Sequence, residues 1–138
     1  MKVLLDTNVI LDFFLVREPR YENVKKIFEL VYQEKIEAYT TSNSITDIYY
    51  IVAKRLGNGA ARGVLSNLFN LLAIIAVNGD DCIFALDIPI TDYEDALIAT
   101  CAQRDDMDYV ITHDVEFLAV ASSIVYVIAP SDFLKMIS

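Results

Sequence analysis

Four aspartates stand where their carboxylates can be brought together around a divalent cation: Asp6, Asp47, Asp95 and Asp114. Asp6 and Asp114 closely follow short apolar runs typical of buried strands, and Asp47 and Asp95 fall in the first turns of two predicted helices. In an α/β fold with a parallel sheet, strand ends and helix starts collect along one edge. Four acids gathered there repel one another unless a cation neutralises them, and oxygen ligands favour Mg²⁺ or Mn²⁺.

Each of these acids must be weighed against an ordinary structural role. Asp6 is the strongest signal for function, because it comes directly after a buried strand. Asp114 can instead cap the helix predicted from Val115. Asp47 matches the third helical position of a capping box that begins at Ser44, so its sequence context does not separate the two roles.

The next acidic segment favours Asp95 as the functional acid. Thr91 and Glu94 match a full capping box, which leaves Asp95 unnecessary for capping. The chain has one histidine, His113, and no serine, cysteine or second histidine pairs with it in a recognisable motif. We therefore expect His113 to be a solvated loop residue.

Apolar periodicity predicts strands that alternate with helices along the chain. The predicted strands cover residues 3–5, 36–41, 81–86, 109–112 and 124–128. The predicted helices cover residues 9–14, 24–32, 42–56, 61–76, 91–104, 115–121 and 130–136. This alternation predicts an α/β fold of three layers (α/β/α), with about five parallel strands in the central sheet, and we expect one domain over residues 1–138.

Composition narrows the class of protein. The chain has 138 residues, of which 55% are hydrophobic, so it can build a substantial core. We expect no membrane span and no signal peptide, and we expect Cys82 and Cys101 to be buried thiols in a reducing, cytoplasmic setting. The net charge of −9 disfavours generic nucleic-acid binding, although metal ions in an acidic pocket can carry phosphate contacts.

Three segments, taken together and in order, resemble a PIN domain. They are residues 3–12 (VLLDTNVILD), 92–99 (DYEDALIA) and 112–117 (THDVEF). The resemblance implies a PIN-like α/β/α fold with a central parallel sheet. It also implies a Mg²⁺- or Mn²⁺-dependent ribonuclease, and small single-domain members are often the toxins of VapBC-type toxin–antitoxin pairs.

The resemblance also assigns roles to individual residues. Asp6, Asp95 and Asp114 correspond to the principal metal ligands, with Asp47 as the remaining acid. Asp47 is one methylene shorter than the glutamate common at that position, so it would ligate directly or through a water. The supporting residues are Asn8, Thr112 and Glu116.

The expected reaction is hydrolysis of an RNA phosphodiester by metal-activated water. Arg17 and Arg20, just beyond the first helix, are candidates to hold flanking phosphates, and ordinary solvated charge is the alternative. The expected partners are RNA, an antitoxin protein and a second copy of the chain in a homodimer.

Rival functions fit less well. In haloacid-dehalogenase-type phosphatases a second aspartate is required where this chain has Asn8, and response-regulator receivers need an acidic pair after the first strand. A PIN-like binding module with weak or no catalysis stays open, because Asp47 departs from the usual glutamate and the chain is acidic.

Overall fold

The computed structural model describes residues 1–120 and 124–138. The strands are β1 (Lys2–Leu5), β2 (Glu37–Thr41), β3 (Ala73–Ile75), β4 (Tyr109–Ile111) and β5 (Val127–Ile128). The helices are α1 (Thr7–Phe14), α2 (Tyr21–Tyr32), α3 (Ser42–Leu56), α4 (Asn58–Leu71), α5 (Gly79–Phe84), α6 (Tyr93–Arg104), α7 (Val115–Val120) and α8 (Pro130–Ile137). In this part of the chain no helix has the length and apolar character needed to cross a bilayer.

The five strands form one parallel sheet in the order β3-β2-β1-β4-β5. β1 lies at the centre, where Val3 is paired with Ala38 on one side and Tyr109 on the other. Because the strands are parallel, the residues that follow β1, β2 and β4 emerge at the same edge. The predicted α/β/α architecture is confirmed.

Side chains of β1 alternate between two helical layers. Val3 and Leu5 pack with α1, α2, α3, α4 and α8, whereas Leu4 packs with α6 and α7. All three side chains are buried, which explains why this strand is apolar at every position rather than at alternate ones. Complete burial of each leucine stabilises the fold by about 2 kcal/mol.

The structure differs most from the predicted helices and strands between residues 61 and 86. The predicted helix over 61–76 ends at Leu71 and is followed by β3, and the predicted strand over 81–86 is instead α5. A capping box starts α5: Asn78 Oδ1 accepts from the Asp81 amide, and Asp81 Oδ2 accepts from the Asn78 amide, both at 3.0 Å. The helical form of this segment also leaves Cys82 exposed, contrary to expectation, while Cys101 is buried and both thiols are free.

An ion pair between a buried carboxylate and a partly exposed arginine joins α5 to the C-terminal end of α6. Asp81 is 3% exposed, and its carboxylate pairs with the Arg104 guanidinium. Arg104 also donates to the Ala76 carbonyl at 2.8 Å, so one side chain links α6 to the segment that leaves β3. The pair therefore fixes the position of the helix that carries Asp95.

Replacing Arg104 tests this link. Arg104→Met leaves the Asp81 carboxylate buried without its cation, and we expect the free energy of unfolding to fall by about 2 kcal/mol in urea denaturation. Lys26→Met, which removes an exposed charge from α2, should change the free energy by less than about 0.5 kcal/mol. Equal effects of the two substitutions would contradict the assignment.

Candidate active site

Asp6 is held in one orientation at the carboxyl end of β1. Its Oδ1 accepts from the Thr7 amide at 2.8 Å, which caps α1, and its Oδ2 accepts from the Thr112 hydroxyl at 2.7 Å. The residue is 6% exposed. Burial raises the pKa of Asp6, the bonds from Thr112 and Thr7 oppose that rise, and the charge of Asp114 adds to it.

The loop after β4 brings Asp114 to the same edge. The Thr112 hydroxyl that donates to Asp6 also accepts from the Asp114 amide at 3.0 Å. Asp114 Oδ1 caps α7, accepting from the amides of Glu116 at 2.9 Å and Phe117 at 3.4 Å. Capping therefore occupies Oδ1, and the Asp114 charge still acts on Asp6. The Glu116 side chain is exposed beside this loop.

Asp95 is a buried carboxyl group with one oxygen left unpartnered. It is 6% exposed, and within residues 1–120 and 124–138 its Oδ2 has no hydrogen-bond partner. Burial raises the pKa of Asp95 to about 8, and the charges of Asp6, Asp92 and Asp114 contribute to the rise. The charges of Asp6 and Asp114 both act on Asp95, so the three acids are neighbours at this edge of the sheet.

The start of α6 differs from the sequence prediction by one residue, and the difference reveals a further acid. Asp92 rather than Thr91 is the N-cap, accepting from the Asp95 amide at 3.0 Å, so Glu94 is not a capping partner. Glu94 Oε1 instead accepts from the Thr7 hydroxyl at 3.4 Å. Burial raises the pKa of Glu94, and the charges of Asp47 and Asp6 raise it further.

Asp47 does not cap α3, so the capping box predicted to begin at Ser44 is not formed. α3 begins at Ser42 with Thr41 as its N-cap, which places Asp47 in the second turn, where it is exposed. The Ser44 hydroxyl accepts from the Thr7 hydroxyl at 2.8 Å, and Ser44 and Asp47 share one helix face. Asp47 therefore lies at the rim of the site, where its charge helps to raise the pKa of Glu94.

His113 and Arg17 lie next to the buried Asp12 rather than among the acids of the site. His113 is half-buried rather than solvated, with Nε2 3.2 Å from Oδ2 of the buried Asp12. Arg17 Nη1 lies 3.6 Å from Asp12 Oδ1 and 3.5 Å from Oδ1 of the exposed Asn8. Arg20 is exposed, and no ion pair holds it among the described residues.

These acids fit a divalent cation. Across the described ranges no three Asp, Glu, His or Cys side chains already form a ready ligand set. Asp95 nevertheless has a buried, unpartnered Oδ2, and burial, together with repulsion between the acids, raises the pKa values of Asp6 and Asp95. A bound cation would pair with that oxygen and relieve the repulsion. An all-carboxylate donor set favours a hard ion such as Mg²⁺ or Mn²⁺.

Comparison with known proteins identifies the family. The family model described as PIN domain matches residues 2–116. The chain belongs to the PIN domain family. PIN-domain ribonucleases generally use divalent metal ions. A curated relative, Ribonuclease VapC1 from Aquifex aeolicus (strain VF5), is 25% identical over 121 residues, which cover 84% of this chain and 83% of the relative.

Solved structures share the fold at lower identity. VapBC2 from Rickettsia felis, bound to a DNA fragment from its promoter, has a TM-score of 0.70 and 17% identity, covering 94% of this chain and 98% of that one. VapC20 from Mycobacterium tuberculosis, a Sarcin-Ricin loop cleaving toxin, has a TM-score of 0.69 and 14% identity, covering 85% and 93%. These likenesses confirm the PIN fold.

The raised pKa of Asp95 predicts how the stability of the metal-free protein depends on pH. The native state holds the Asp95 proton up to about pH 8, whereas the unfolded chain releases it near the ordinary value of 3.8. Stability in EDTA should therefore fall as pH rises from about 4 to about 8. Asp95→Asn should flatten that fall and raise the free energy of unfolding at pH 7.5 by about 2 kcal/mol.

The exposed Asp87 supplies the control for this measurement. Asp87→Asn should leave the pH profile of urea denaturation parallel to that of the unmodified protein. A profile of Asp95→Asn that keeps the original slope would show that Asp95 does not titrate in this range.

Proposed function

We propose that this PIN-domain protein is a Mg²⁺- or Mn²⁺-dependent endoribonuclease and the toxin of a VapBC-type pair. The observation that carries the proposal is the buried, unpartnered Asp95 carboxylate beside Asp6 and Asp114. Acids held so close at the carboxyl edge of a parallel sheet lower stability unless they bind a cation, and cation binding is the use that offsets this cost.

In this proposal Asp6, Asp95 and Asp114 are the principal metal-binding residues. When bound, the cation supplies activation of water and neutralisation of the phosphodiester charge. Thr7 and Thr112 bond both oxygens of Asp6 and so fix its rotamer before binding. This preorganisation lets the carboxylates bind without first losing side-chain freedom.

Glu94 and Asp47 complete the site on the side of α3. Glu94 shares Thr7 with Asp6: the Thr7 amide bonds Asp6, and the Thr7 hydroxyl lies 3.4 Å from Glu94. We propose that Glu94 binds the cation or its water, taking over part of the role that the shorter Asp47 performs from a more exposed position. Asn8 and Glu116, both exposed at the rim, orient water or substrate.

Substrate and partners follow from the relatives. Ribonuclease VapC1 supports RNA as the substrate, and the VapBC neighbours support an antitoxin protein as a partner. We further propose a cytoplasmic homodimer of one domain over residues 1–138. Tyr50 on α3 and Phe69 on α4 are large exposed apolar side chains available to such an interface.

Metal removal and one isosteric substitution test the proposed activity. EDTA should abolish cleavage of a labelled single-stranded RNA, and added Mn²⁺ should restore it. Asp6→Asn should lower the cleavage rate at least about 100-fold with Mn²⁺ present, because it removes a ligand charge without changing side-chain volume. Asp87→Asn should keep the rate of the unmodified protein.

Cleavage that persists in EDTA and in Asp6→Asn would overturn the metal-dependent mechanism. A folded protein that neither binds Mn²⁺ in calorimetry nor cleaves RNA would instead support the alternative of a PIN-like binding module. The exposed position of Asp47 is the feature that favours this alternative.

A matched pair of variants tests the role of Glu94. Glu94→Gln should weaken Mn²⁺ binding about tenfold in isothermal titration calorimetry, because it removes a half-buried charge beside Asp6. Asp47→Asn should weaken binding less, since Asp47 is exposed. Glu29→Gln on α2 is the control for loss of an exposed charge, and a Glu94→Gln affinity equal to the control would show that Glu94 takes no part.

A further inference from the structure

A further buried carboxylate, Asp12 on α1, faces Arg17 and His113 rather than other acids. Asp12 is 1% exposed. Its Oδ1 lies 3.6 Å from Arg17 Nη1, and its Oδ2 lies 3.2 Å from His113 Nε2. An isolated carboxylate at this depth is costly to ionise, so the Arg17 guanidinium beside it is part of what keeps Asp12 in the core.

The backbone after α1 is bent to place Arg17 over Asp12. Val16 has φ of 51°, a left-handed conformation that is rare for a β-branched residue. The bend lets the Arg17 amide donate to the Asp12 carbonyl at 3.0 Å, and the Arg17 carbonyl then accepts from the Tyr21 amide at 2.9 Å. An unfavourable backbone conformation next to a candidate site favours a functional reason for the geometry.

The cluster of Asp12, Arg17 and His113 lies beside the acidic site but is not part of it. Arg17 Nη1 lies 3.5 Å from Oδ1 of Asn8, two residues after Asp6, and His113 stands between Thr112 and Asp114 in the chain. Arg20 is also near, because its charge, after the larger effect of burial, helps to lower the pKa of His113. Basic groups therefore border one side of the acidic site.

The Arg17 guanidinium is available to a further ligand. Its contacts with Asp12 and Asn8 are at 3.6 and 3.5 Å, and its side chain is 32% exposed. Guanidinium groups carry five donors in a planar fork that matches phosphate oxygens. With a net charge of −9 the protein as a whole repels a polyanion, so RNA needs local cations where it enters the site.

We propose that Asp12 is a positioning residue that holds Arg17 as an arm for the RNA phosphates flanking the scissile bond, with His113 and Arg20 alongside. The inference rests on the proposed ribonuclease function and adds a substrate-binding subsite to it. Asp12 acts through Arg17, and Arg17 contacts the phosphate.

The test measures RNA binding separately from cleavage. In an Asp95→Asn background, which blocks turnover, the affinity for a fluorescently labelled single-stranded RNA is measured by anisotropy over a range of salt concentrations. Arg17→Met should weaken binding about tenfold and reduce the slope of log K against log salt by roughly 0.7. Arg55→Met, which removes an exposed arginine at the end of α3, is the matched control and should leave the slope unchanged.

Further variants separate positioning from a purely structural role. Arg17→Lys should keep the salt slope while recovering only part of the affinity, because it retains the charge and loses the fork. With the turnover-competent protein, Asp12→Asn should raise KM several-fold with kcat within about twofold. Added to Arg17→Met it should cause little further loss, because both changes remove one interaction.

The outcomes distinguish this inference from the proposed function. If the unmodified protein cleaves RNA and Arg17→Met binds RNA as tightly as Arg55→Met does, the phosphate-binding role of Arg17 is overturned. The proposed ribonuclease function then still holds. If Asp12→Asn lowers kcat with KM unchanged, or fails to fold while Arg17→Met has no effect on binding, Asp12 is structural only. If the unmodified protein neither cleaves nor binds RNA in Mn²⁺, the proposed function fails with the arm.

Discussion

Carboxyl groups held together at one edge of a parallel sheet, two of them buried, govern the geometry of the candidate site. β1 and β4 end side by side, so Asp6 and Asp114 arrive together, and the start of α6 places Asp95 against them. Asp6 and Asp95 are buried, and their raised pKa values mean that ionising them in the metal-free fold costs stability. PIN-domain ribonucleases generally use divalent metal ions, and a cation at this edge would offset that cost.

Hydroxyl groups fix the orientation of the acidic side chains at that edge. Thr7 bonds Asp6 through its amide and lies between Ser44 and Glu94 through its hydroxyl, while Thr112 bonds Asp6 and receives the Asp114 amide. These short side chains tie β1, α3, α6 and the loop after β4 to a single carboxylate. A shift of any one element would therefore alter the orientation of Asp6, which connects the packing of the sheet to the chemistry proposed for its edge.

The positions of acids at strand ends could be predicted from the sequence. The exact start of a helix and the contacts between distant residues could not. Asp6 and Asp114 follow apolar runs, so their shared edge was predictable. Thr91 and Asp92 are adjacent candidates for one cap, and local chemistry does not choose between them, although the choice decides whether Glu94 caps a helix or enters the site. The bond between Thr7 and Ser44 spans 37 residues and exists only in the folded chain. Likewise, the run from Ala73 to Ile75 merges with the preceding helical pattern, because three residues are too few to show a strand period.

Asp95 is a buried acid whose proton a divalent cation should displace, and carboxyl-carbon NMR of Asp95 as a function of pH measures this displacement. The protein is titrated in EDTA and again with saturating Mg²⁺, which is diamagnetic. We expect a pKa of about 8 without metal and a fall of several units with Mg²⁺, because the cation stabilises the carboxylate. An ordinary pKa near 3.8 in EDTA, or a high value that Mg²⁺ does not move, would contradict the proposed cation site.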